Sequence, residues 1–77
     1  MIYYIIRNDT RTTLAILKTT EAADIVFTRL MYTNKYEHTL ELIRLHADEF
    51  GVIDTHIPLK SYSVESNILT VHTAALV

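Results

Sequence analysis

The residues with the widest chemical scope are four histidines, His38, His46, His56 and His72. A metal site needs several imidazole, carboxylate or thiolate donors converging on one point. At helical spacing His38 and His46 stand about 12 Å apart along the axis, too far to share an ion, since each residue rises about 1.5 Å. His56 and His72 become cross-strand neighbours if the chain turns back near Val64, with Asp54 two residues from His56 on the same strand face. Such a His/His/Asp set lacks the specificity of a zinc signature, and no cysteine is present to add a thiolate. No metal and no cofactor are expected. Nucleophilic catalysis needs an activated hydroxyl beside an oriented base. Ser63 and Ser66 fall in an ordinary turn, and there is no G-x-S-x-G elbow. A single glycine cannot build a phosphate-cradling loop. The neighbouring carboxylates are Asp48 and Glu49, and Glu37 and Glu41 on a solvated face. The expectation is a protein that is not an enzyme and works by surface contact.

Charge is distributed unevenly. The net charge is −2, with a pI near 6.0, so no overall basic field holds a nucleic acid by counterion release. Residues 1–19 carry Arg7, Arg11 and Lys18 against Asp9; residues 37–54 carry Glu37, Glu41, Asp48, Glu49 and Asp54 against Arg44. Glu41, Asp48, Glu49 and Asp54 are therefore candidates to meet basic residues of a protein partner. Tyr3 with Arg7, Arg11 and Lys18 is the one basic-plus-aromatic grouping. Sheet aromatics can stack on unpaired bases, so this hairpin face is the alternative, nucleic-acid-binding surface.

Residues 2–7 and 14–18 are β-branched and aromatic, and flank the turn-forming set Asn8-Asp9-Thr10-Arg11-Thr12-Thr13. That pattern predicts a β-hairpin. Its pairing puts Ile2, Tyr4, Ile6, Ala15 and Leu17 on one face and Tyr3, Ile5, Leu14 and Ile16 on the other. Both faces are apolar. Thr19 or Thr20 caps a helix over residues 21–32, with Ala22, Ala23, Val26, Phe27, Leu30 and Met31 at helical spacing; Ile25 and Tyr32 lie off that stripe. Asn34 with Glu37 resembles a capping box, and Tyr36, Leu40, Ile43, Ala47 and Phe50 then step along one helical face. Gly51 stands where a left-handed C′ residue belongs. This second helix turns Leu42 and Leu45 away from its core side, and with Tyr3 and Ile5 they form a candidate apolar contact patch. Asp48 and Glu49 fall in its last turn. Residues 52–63 and 68–76 read as two more strands, the first bulged or at an edge around Pro58, which lacks a ladder donor.

The predicted fold is a single α+β domain over residues 1–77, ββααββ, with an antiparallel sheet and two helices packed on one face. Its other face is then uncovered. A chain of 77 residues, 49% hydrophobic, buries only roughly 60% of its unfolded surface when it folds alone. Without disulfides, oligomerisation is the economical way to cover the remainder, so a homodimer is expected. The absence of a basic n-region before the apolar start, and of any apolar run of the length a membrane helix needs, leads to the expectation of a cytoplasmic, soluble protein.

The segment YYIIRNDTRTTLAILKTTEAADIVFTRL, residues 3–30, resembles small bacteriophage early or accessory proteins. These begin directly with a hairpin and pass through a K-T-x-E-A-type cap into a helix, as Lys18-Thr19-Thr20-Glu21-Ala22 does here. The resemblance implies a non-enzymatic inhibitor or modulator that occludes a host protein, often a nucleic-acid-processing enzyme or a defence factor. It carries over no functional residue. The modest acidity departs from the strongly acidic DNA mimics of that group.

Overall fold

The computed structural model describes residues 1–33 and 39–72. The Asn34/Glu37 capping box, Tyr36, His38 and the expected end of the last strand, 73–76, lie outside the described residues. β1 (Ile2–Asn8) and β2 (Thr13–Leu17) form the expected hairpin, pairing Tyr4 with Leu17, Ile5 with Ile16 and Ile6 with Ala15. A bulge between Ile6 and Arg7 leaves Leu14 without an opposite residue. Leu14 thereby packs into the core on the Tyr4–Ile6 side, not with Tyr3 and Ile5 as strict alternation predicts. The extra residue resets the strand's phase.

α1 (Thr20–Thr33) begins where the cap predicts. The Thr19 hydroxyl accepts from Ala22 N at 3.1 Å, satisfying one of the helix's free amides, and its carbonyl accepts the first helical bond from Ala23 N at 3.0 Å. The helix buries Ala23 and Phe27 against Tyr4, Ile6, Leu40, Leu42 and Tyr62 of the sheet. Two polar contacts fix its seat: Tyr4 Oη lies 2.8 Å from Thr20 Oγ1, and Lys60 Nζ donates to Asp24 Oδ1 at 2.9 Å.

β3 (Thr39–Ala47), β4 (Ile53–Ser63) and β5 (Ile68–Val71) complete one antiparallel sheet in the order β2-β1-β3-β4-β5. β2 and β3 flank β1 and run in the same direction, with α1 crossing over one face between them. Pro58 sits opposite Ile43 while Lys60 sits opposite Leu42, so Leu59 is bulged, as the missing proline donor requires. The described part of β5 pairs only with Lys60 to Ser63.

The ββααββ expectation is corrected here. Among the described residues α1 is the one helix, and residues 39–47, expected in a second helix, are the central strand. Leu40, Leu42, Ile43, Leu45 and Ala47 fit both periods: Leu40, Ile43 and Ala47 lie on one helical face, whereas Leu40 and Leu42, then Ile43, Leu45 and Ala47, take alternate strand faces. The strand wins because it buries all five and hydrogen-bonds on both sides. A helix strands Leu42 and Leu45 opposite its core. Those two leucines, 1% and 7% exposed, are thus interior residues on opposite faces of β3 and cannot form the joint patch assigned to them. Gly51 has φ 82°, the left-handed value expected of it, but in the β3–β4 turn.

Two stability outcomes follow. Phe27→Ala should lower the unfolding free energy by about 3–5 kcal/mol in a urea titration, because a fully buried ring leaves a cavity between helix and sheet. Arg11 holds φ 63° at the first hairpin turn, a region that costs a non-glycine residue roughly 1–2 kcal/mol. Arg11→Gly should raise the unfolding free energy from a urea titration by about 0.5–1 kcal/mol, the strain relieved less glycine's added chain entropy.

Candidate functional site

The sheet has a covered face and an open one. Opposite α1, β1 presents Tyr3, Ile5 and Arg7; β2 presents Ile16; β3 presents Glu41, Ile43, Leu45 and Ala47; and β4 presents Ile53, His56 and Pro58. Ile43, Leu45 and Ala47 are buried under these neighbours, while Ile16 and Ile53 are 67% and 55% exposed. Between them runs an apolar groove lined by Tyr3, Ile5, Ile16, Leu45 and Ile53, with a volume of about 320 Å³. The charged strand residues on this face, Arg7 and Glu41, are paired: Arg7 Nε donates to Glu41 Oε2 at 3.2 Å.

The second feature is the β3–β4 turn. Asp48 Oδ1 accepts from Phe50 N and Val52 N, each at 2.9 Å. Asp48 N donates to Val52 O at 2.9 Å and Gly51 N to Asp48 O at 3.0 Å. One carboxylate and a left-handed glycine therefore lock the turn, because an aspartate side chain bonds the amides that follow it. The lock projects Phe50 into solvent, 83% exposed. Glu49 beside it is exposed and makes no ion pair among the described residues. Val52 and Ile53 are exposed too, as are Met1 and Ile2. Met1 reaches the same end of the sheet, where its ammonium donates to Ala47 O at 2.8 Å.

The acidic residues singled out from the sequence are not one patch. Glu41 is on the open face with Arg7; Asp48 is committed to its own turn; Asp54 is bonded to His46 Nδ1 at 2.9 Å. Asp48 and Glu49 are not in a helix terminus, so no dipole penalises them. The hairpin set also spreads. Arg7 is engaged by Glu41, and Arg11 and Lys18 flank opposite ends of β2, which spans about 17 Å at strand rise. Tyr3 and Ile5 do share the groove. The His56/His72/Asp54 set does not assemble: Asp54 turns to His46, His56 faces Leu45 across the ladder, and His72 Nε2 lies 3.3 Å from Ser61 Oγ. Among the described residues no three His, Asp or Glu side chains are grouped to hold a metal. Phe50 was missed, because helical spacing places it in the core; the signal for it is Asp48 and Gly51 punctuating two apolar runs, a hairpin turn.

Among the described residues the geometry defines an antiparallel sheet with one helix on one face and the opposite face open. Comparison with known protein families, with curated proteins and with solved structures gives no match. Among the described residues no helix is long and apolar enough to cross a membrane.

The His46–Asp54 pair yields a titration outcome. The His46 hydrogen bond, first, with that of Thr55, holds the Asp54 carboxyl below its usual value of 3.8, against desolvation. The stability this confers is fully present above the unfolded value and is lost as pH falls through the lower folded one. Carbon-detected NMR should show Asp54 titrating below the ordinary aspartate range in the native chain, and within it in His46→Leu.

Proposed function

We propose that the protein is a small non-enzymatic interaction module that binds another protein through the Phe50 turn and acts by covering part of its partner's surface. This is how a phage-type inhibitor of a host factor works, in the host cytoplasm. The carrying observation is Phe50 itself, an aromatic side chain 83% exposed on a turn held by two bonds to one carboxylate. Exposing a ring to water is unfavourable, and rigid presentation removes most of the entropy cost of ordering it on binding. Buried aromatic anchors of this kind carry most of the affinity in protein interfaces.

The surroundings state the partner's chemistry. Glu49 beside Phe50 is exposed with no ion pair among the described residues, and no lysine or arginine occurs from 45 to 59. The matching surface is an apolar socket rimmed by basic side chains, such as the groove of a nucleic-acid-processing enzyme. Phe50 fills the socket, and Glu49 at its rim acts on the encounter rate.

Affinity capture from a bacterial lysate on the immobilised chain, followed by binding to the purified captured protein, tests this. Phe50→Ala should weaken binding by at least tenfold, with unchanged circular dichroism. Glu49→Lys should slow association at low salt and leave dissociation nearly unchanged. Binding that ignores Phe50, or a captured species that is nucleic acid released steeply by moderate salt, rejects the proposal.

A further inference from the structure

We infer that the open face of the sheet is covered by a second copy of the same chain, in a twofold face-to-face sandwich. This inference is independent of the Phe50 reading. The row Ile43, Leu45 and Ala47 runs down the central strand on the side α1 does not reach. Among the described residues its neighbours on that face lie in the sheet itself, and two of the face's side chains, Ile16 and Ile53, are mostly exposed. Such a surface is an aggregation liability whenever it is bare. A foreign partner leaves it bare between encounters, whereas a second copy is present wherever the chain is made.

Charge favours the same occupant. In a twofold interface each surface meets itself, so an unpaired charge near the axis confronts its own like. On the strands of this face Arg7 and Glu41 neutralise one another. The other titratable side chains among the described residues of those strands on this face are His56, exposed and opposite Leu45, and the Tyr3 phenol. The face is therefore neutral toward itself. It is a poor match for the basic-rimmed socket that suits the acidic turn.

Size agrees too. The five strands together hold 36 residues, which at about 3.3 Å rise and about 4.8 Å spacing cover roughly 570 Å², near the roughly 600 Å² per partner at the small end of stable interfaces. Stacked sheets sit about 10 Å apart with interdigitating side chains. Ile16, projecting beside the groove between Tyr3 and Leu45, is the side chain placed to enter the partner's groove, and symmetry returns the same contact.

The test is light scattering and sedimentation of the full chain from sub-micromolar to tens of micromolar. The expected mass is twice the 8.9 kDa of one chain, with a melting temperature that rises with concentration. Ile16→Lys on β2 and Ile53→Lys on β4 change exposed side chains, so the fold should survive by circular dichroism while each variant sediments as one chain. Phe50→Ala should leave the dimer intact, which separates this inference from the partner reading. A native mass of one chain at tens of micromolar overturns it. So does a dimer that survives both lysine variants, since the contact then lies at a sheet edge or elsewhere.

Discussion

The structure depends on one strand being buried on both of its faces. β3 contributes Leu40 and Leu42 to the core under α1 and Ile43, Leu45 and Ala47 to the opposite side, while its backbone pairs with β1 and β4. Every other element is arranged around that requirement. The first hairpin must turn back so that β1 can lie along one edge of β3. The helix must cross over β1 to deliver β3 to its place, and the short helix then covers only one side. A sheet whose middle strand buries apolar residues on both faces, with one helix among the described residues to cover it, leaves one face open.

The connections are held by side chains rather than by glycine. Asn8 is buried and its Oδ1 accepts from Thr10 N, the Thr10 hydroxyl and Thr12 N, which lets Arg11 sit in a left-handed conformation. Asp48 does the same for the β3–β4 turn. With only one glycine in the chain, short polar side chains do the work of turning the backbone. These turns are stiff, and a stiff turn can carry an exposed aromatic ring in one orientation.

Local chemistry was legible wherever the deciding interactions are close in sequence. The Asn8–Thr13 turn, the Thr19 cap, the α1 stripe of Ala23, Val26, Phe27, Leu30 and Met31, and the bulge at Pro58 are all consequences of nearest neighbours. Candidate site residues fared differently, because a site is a convergence of distant residues. Asp54 was read with His56 and found its partner in His46 across the ladder. Arg7 was read with Arg11 and Lys18 and is engaged by Glu41. Phe50 was read as interior and stands in solvent. Each of these outcomes depends on register, which no single segment carries.

The amino-acid order by itself determined the first hairpin turn, where the first helix begins, and that apolar residues occupy both faces of the first hairpin. Only tertiary structure decided between helix and strand for residues 39–47, since apolar positions 40, 43 and 47 satisfy a period of 3.6 on one face while 40, 42, 43, 45 and 47 satisfy a period of 2 on two faces. That choice turns on whether neighbouring strands are present to accept the backbone bonds and to bury the second face. Both conditions are met by β1 and β4, segments that no local window around residue 43 contains.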